Sequence, residues 1–219
     1  ADMKSSKAAM ELAHSYEFAY AVVGVHPSDT APLTEADMEW LEQASHDEKV
    51  VAIGEIGLDY HWKEPEPEIQ KKWFRRQIEL AKKVNLPIIY HSREAAKDTM
   101  DMILETHAAD CGGVIHCYSY AKEYVDMGFY IGVGGVITFK NGRRLKETVE
   151  AIPLSRIVLE TDCPYLSPEP NRGKRNDSTN LIYVAREIAA IKGISEQKVI
   201  EETEKNARKL YRLDEKNRR

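Results

Sequence analysis

Val50-Val51-Ala52-Ile53-Gly54-Glu55 is an almost wholly apolar run that stops on a carboxylate. Three further runs share its form: Pro87–His91 (PIIYH), Gly112–His116 (GGVIH) and Ile157–Asp162 (IVLETD). A parallel strand covered by helices is buried on both faces, so it reads as a continuous Val/Ile run with no polar alternation. In a (β/α) barrel the C-terminal strand ends open on the face that carries the chemistry. The four runs are therefore expected to be strands, with Glu55, His91, His116 and Asp162 meeting at one end. Two imidazoles and two carboxylates from four strand ends form the donor set of a divalent-metal site.

The segments between these runs are helical in pattern. Ser5 to Tyr16 precedes AYAVVGV and His26-Pro27, and Thr34 with Asp37 forms a capping box ahead of the next helix. A long helix from Glu66 to Lys83 stops before Pro87, which cannot continue it. Glu94 to Thr106 leads to GGVIH, a short helix leads to FYIGVGGVI, and Leu145 to Ala151 leads to RIVLETD. Two helices close the chain, Leu181 to Lys192 and Glu196 to Leu210, the second capped by Ser195. Strands separated by helices imply parallel pairing through right-handed crossovers. The expectation is an α/β protein of the TIM (β/α)8-barrel type, in one domain spanning residues 1–219. Six strands are countable where a closed barrel has eight, so strand 1, helix 1 and strand 2 of that barrel are expected to be missing at the N-terminus. An open doubly wound sheet is the alternative.

The chain has 219 residues, 42% of them hydrophobic, and a mean hydropathy of −0.50, enough for a substantial core. It contains no apolar run of the roughly 18–20 residues a membrane span needs, so no membrane partner is expected. Three cysteines, Cys111, Cys117 and Cys163, are too few for a disulfide framework and agree with a reducing cytoplasm. Adjacent strand residues face opposite ways, so Cys117 and Cys163, each next to a candidate ligand, are expected to be core residues. The net charge of −5 excludes a protein that merely coats nucleic acid, but a bound cation and a local basic patch can still receive a phosphate. Of three basic clusters, Lys71, Lys72, Arg75 and Arg76 read as a solvated helix face, and Lys140, Arg143 and Arg144 stand apart. Arg172, Lys174 and Arg175 occupy a Pro- and Gly-containing loop just after Asp162 and are the best candidates for phosphate contact.

The segments GVHP (Gly24–Pro27), GEIGLDY (Gly54–Tyr60), PIIYHSR (Pro87–Arg93), IHCYS (115–119), ETDCPYL (Glu160–Leu166) and RGKRN (Arg172–Asn176), with the closing TEKNARKLY, occur in this order. Together they resemble the TatD family of metal-dependent deoxyribonucleases, within the amidohydrolase-like barrels, over essentially the whole chain. The resemblance implies hydrolysis of DNA phosphodiesters, generally from a 3′ end and with single-stranded DNA or 3′ ends as partner; the sequence does not fix the oligomeric state, and a monomer is favoured. It implies one or two divalent ions (Mg, Mn or Zn), with Glu55, His91, His116 and Asp162 as ligands. The His-x-His pair with which family members begin does not occur here. The connection after IHCYS also looks about one helical turn short, since a parallel crossover takes a dozen or so residues.

In such a site Glu55 would bridge or hold metal, and Asp162 would orient or deprotonate the attacking water, so both are the candidate catalytic residues. Each ligating His would need an acceptor for its other N–H. Glu160 shares strand parity with Asp162 and is one candidate acceptor. His26, Asp59 and Arg93 are candidate substrate contacts, Arg93 because its fork suits a phosphate. Tyr60, Trp62 and Tyr165 lie just past strand ends, where aromatic rings can stack on bases of a single strand. Two alternatives stay open: an amidohydrolase-like enzyme acting on a small ester, lactone or cyclic amide, and a catalytically impaired relative.

Overall fold

The computed structural model describes residues 1–116 and 121–216, with the side chains of 215 and 216 left aside. Cys117, Tyr118 and Ser119 of the IHCYS segment lie outside the described residues. The chain forms two compact units, residues 1–117 with 210–219, and residues 118–209.

In the first unit helices and strands alternate: α1 (Met3–Ser15), β1 (Ala21–Val23), α2 (Glu35–Ala44), β2 (Val50–Asp59), α3 (Pro67–Val84), β3 (Ile88–Arg93), α4 (Ala96–Glu105) and β4 (Gly113–Ile115). The strands pair in parallel, β1 with β2, β2 with β3 and β3 with β4. The expected capping box closes the start of α2: Thr34 Oγ1 accepts from the Asp37 amide, and the Asp37 carboxylate accepts from the Thr34 amide. Asn85 takes the left-handed conformation that ends α3 (φ 54°), two residues before Pro87. The core is the Val/Ile content of the strands: Val50, Ala52, Ile53, Ile56, Leu58 and Ile88 are fully buried. The basic residues of α3 form a solvated face: Lys71 pairs with Asp98, Arg75 with Glu105 and Arg76 with Glu35.

The second unit holds α5 (Ala121–Asp126), β5 (Tyr130–Val133), α6 (Arg143–Ala151), β6 (Ile157–Leu159), α7 (Leu181–Lys192) and α8 (Glu196–Leu210, whose last residue falls in the first unit), with β5 and β6 parallel. Ser195 Oγ accepts from the Lys198 amide at the start of α8. Helix α5, ahead of β5, is six residues long. Asn206, in the closing motif, is buried and donates through Nδ2 to the carbonyls of Leu154 and Ile157 at the entry to β6.

Three expectations need correction. β2 does not stop at Glu55 but runs to Asp59. Its register with β3 shifts between Ile53 and Ile56, where three steps on β2 match two on β3, so Glu55 sits in a one-residue bulge, a device that re-aims side chains. β6 ends at Leu159, so Asp162 is three residues beyond the ladder, in the left-handed conformation (φ 55°). Strand parity therefore does not reach Cys163, which is exposed; Cys111 is buried as expected.

At Gly57 the β3 backbone leaves no room for a side chain. Its φ is 150°, and a Cβ there would lie 1.9 Å from the His91 carbonyl oxygen. Gly57→Ala is therefore expected to lower unfolding free energy by about 3 kcal/mol or more, strain and overpacking combined. Urea denaturation checks this, and an unchanged midpoint would contradict the close approach.

Candidate metal centre

The first unit brings Glu55, His91, His116, His26 and Asp59 together. In register, His91 stands opposite Gly57, and Asp59 opposite Arg93. Paired strand residues face the same way and side chains repeat every second residue. Glu55 and Asp59 thus flank the position that His91 faces. The imidazole spans them, with Nδ1 3.0 Å from Glu55 Oε1 and Nε2 3.1 Å from Asp59 Oδ2. His116, just past β4, places Nε2 3.5 Å from the same Glu55 oxygen. The His26 ring meets the His91 ring edge-on, with centroids 4.3 Å apart. Ligand atoms of His26, Glu55 and His91 all lie within 4.8 Å of one another.

These residues suit a divalent cation. Asp59 is buried, with its side chain 4% exposed; with a cation held between Glu55 and Nδ1, its carboxylate would take the His91 Nε2–H and leave the Nδ1 lone pair to the ion. A carboxylate holding the far N–H of an imidazole fixes ring and tautomer and raises ligand basicity. The second Asp59 oxygen accepts from the His61 amide, so both carboxylate oxygens have partners within the protein. Burial alone would raise the Glu55 pKa, but the hydrogen bond with His91 and the charges of His116, His91 and His26 outweigh it and bring it down to about 2. Glu55 is an anion with an imidazole nitrogen on either side.

His26 fits a different role. Its Nδ1 accepts from the Ser28 amide at 3.2 Å, so a neutral ring carries its proton on Nε2. Burial, then the neighbouring His91, pushes its pKa down to about 4, so the ring is neutral near pH 7. A group with a bound proton on its outward nitrogen donates a hydrogen bond and does not ligate a cation.

Two buried glutamines secure this arrangement, and sequence reading had passed over both. Gln70 in α3 accepts from the Asp59 amide (2.8 Å) and donates to the Asp59 and Pro65 carbonyls. Gln77, two turns later on the same face, accepts from the Val25 amide and donates to the Val25 carbonyl, beside His26. Both are at most 1% exposed. The only sequence signal was polar residues on the apolar face of an amphipathic helix.

In the second unit, Asp162 is exposed on the loop after β6. The Glu160 carboxylate lies against Gly132, where a Cβ would come within 2.0 Å of Oε2. Arg172 stacks on Phe139, its guanidinium carbon 3.7 Å from the ring centroid, while Lys174 and Arg175 are exposed. Arg93 is exposed at the end of β3. Trp62 and Tyr165 are exposed, and Tyr60 donates its hydroxyl to Asp98.

Two outcomes follow. Gln77→Leu strips partners from two buried backbone groups and should cost roughly 3 kcal/mol, read by urea denaturation; a loss under about 0.5 kcal/mol, ordinary for a surface site, would argue against the clamp. His26 binds a proton more weakly folded (about 4) than unfolded (6.5). Its contribution to stability is therefore complete above pH 6.5 and is lost as pH falls from 6.5 through 4. An NMR titration midpoint for His26 near 6.5 would contradict its burial.

Residues 1–212 match the family described as TatD related DNase. An uncharacterized metal-dependent hydrolase of Bacillus subtilis, YabD, is 46% identical over 210 residues, covering 94% of this chain and 82% of the relative. A protein of Klebsiella pneumoniae named 3′-5′ ssDNA/RNA exonuclease TatD is 31% identical over 222 residues, covering 97% of this chain and 84% of the relative. Among solved structures, the TatD homologue YJJV of Escherichia coli K12 superposes with a TM-score of 0.88 at 28% identity, over 96% of this chain and 83% of that one. The barrel-type α/β fold and a cluster fit for a metal agree with these likenesses, and the chain belongs to the TatD family of metal-dependent hydrolases.

Proposed function

We propose that the chain hydrolyses phosphodiester bonds of DNA, preferentially in single strands or at 3′ ends. The observation that carries this reading is the Glu55–His91–Asp59 arrangement, an anion and an oriented imidazole suited to holding a divalent ion. A divalent ion supplies Lewis acidity toward water and toward the phosphate oxygens. Glu55, His91 and His116 would hold it, with Asp59 as the acceptor that sets the His91 tautomer. In this reading Asp59 positions His91 and the substrate contacts are left to others. His26 would donate its Nε2–H to a phosphate oxygen. Asp162, an exposed carboxylate on a turn, would complete the ligand set and take the proton of the attacking water. The basic loop Arg172–Arg175 and Arg93 would meet the flanking phosphates. The name of the Klebsiella relative supports a nucleic-acid substrate and a 3′ to 5′ direction.

Glu55→Gln keeps size and shape but removes the anion between two imidazoles. It should abolish Mn²⁺- or Mg²⁺-dependent cleavage of a single-stranded oligonucleotide while leaving the circular dichroism spectrum unchanged. Retained turnover above about a tenth of wild type would sink the assignment. Binding to single-stranded DNA should weaken with salt at a log–log slope near −0.7 for each phosphate neutralised. Replacing Arg172, Lys174 and Arg175 by Ala should flatten that slope, and an unchanged slope would remove the loop from the interface. Preference for a small lactone or cyclic amide over any phosphodiester would favour the other amidohydrolase-like reading.

A further inference from the structure

Asp162 has no ladder to hold it. It lies past the end of β6 in the left-handed region, and its carbonyl accepts from the Tyr165 amide (2.8 Å), closing a tight turn. What fixes this turn is Asn176, 1% exposed. Asn176 Nδ2 donates to the carbonyls of Thr161 (2.7 Å) and Tyr165 (2.8 Å), which bracket Asp162, and its backbone N–H donates to the Pro164 carbonyl (3.0 Å). Asn176 Oδ1 accepts from Asn180 Nδ2 (2.9 Å), and Asn180 Oδ1 accepts in turn from Asn171 Nδ2 (2.8 Å). Asn171 and Asn176 are the residues immediately before and after the run Arg172–Arg175. Within that run, the Lys174 carbonyl accepts from Ser167 Oγ (2.7 Å). The basic run is therefore fastened to the turn that carries Asp162 directly at its Asn176 end and through Asn180 at its Asn171 end, and between them to Ser167 just past the turn.

We propose that Asn176, at the head of the amide relay Asn171–Asn180–Asn176, is a positioning residue that locks the Asp162 turn and the basic loop into one rigid element. The acidic group and the phosphate-facing cations are then set at a fixed spacing before substrate arrives. This rests on the reading of Asp162 and the basic loop given above. A primary amide suits the task because it has two N–H groups for the two carbonyls and an oxygen for Asn180. Aspartate of the same shape would turn an acceptor toward both carbonyls.

The test uses the full chain with Mn²⁺ and bis(p-nitrophenyl) phosphate. Asn176→Ala should lower kcat about 10- to 100-fold, the scale of a small misplacement of reacting groups, while KM moves less than about two-fold, because this substrate needs few flanking contacts. In an Asp162→Asn background the same change should cost less than about two-fold more, since residues acting through one another are not additive. Full additivity would overturn the proposal. A second readout needs neither metal nor turnover. Amide hydrogen exchange of the metal-free protein should quicken together in residues 161–166 and 171–175, with other segments unchanged. Quickening in only one of the two segments would overturn it. If Asn176→Ala loosens the whole chain, Asn180→Ala, which breaks only the middle of the relay, should still quicken both segments together. If the wild-type chain cleaves no phosphodiester, the nuclease reading fails while the exchange experiment still decides whether the two loops are one element.

Discussion

The site turns on one imidazole held between two carboxylates of a single strand. Glu55 and Asp59 lie four residues apart on β2, and His91 on β3 faces the glycine between them, touching one carboxylate with each ring nitrogen. The spacing Glu-x-Gly-x-Asp meets three requirements at once. Two acids share a face, the residue between them lets the β3 backbone come close, and the two acids differ in exposure. Glu55 stands 31% exposed and Asp59 4%, so the outer acid is available to a cation and the inner one is committed to the ring. The division of labour comes from environment, since the side chains are nearly identical.

Electrostatics reinforce this. Removing a carboxylate from water disfavours its anion, yet opposing imidazoles invert the result for Glu55 and leave it acidic. For His26 burial prevails, helped by repulsion from His91, and the ring stays neutral. A neutral donor beside an anionic acceptor is a polarity that an incoming phosphate can use on one side and a cation on the other.

The alternation of helices and strands was legible because doubly buried strands read as apolar runs and because caps such as Thr34 and stops such as Pro87 leave local signatures. His91 and His116 were legible for the same reason: they interrupt or end such runs. What escaped depended on long-range geometry. Nothing local shows that β2 continues beyond Glu55, because the bulge that re-aims Glu55 is a mismatch of register with β3. Asp59 read as a mouth residue because nothing local shows that His91, on another strand, and the His61 amide meet its two carboxylate oxygens. Asp162 read as a strand end because it follows the apolar run Ile157–Leu159 by only a few residues, whereas the chain leaves the ladder after Leu159 and is held by Asn176.

The seven-residue separation of Gln70 and Gln77 bears on how this protein tolerates changes in length. With 3.6 residues per turn, adding or deleting one residue between them would rotate one glutamine by about 100° relative to the other. Either the Asp59 backbone or the Val25 backbone would then lose both partners. Substitutions on the solvated face of α3 leave this phase untouched, so the helix can drift in composition while its residue count between the two amides stays fixed. An indel there would act on the site at a distance, without altering any residue that meets substrate.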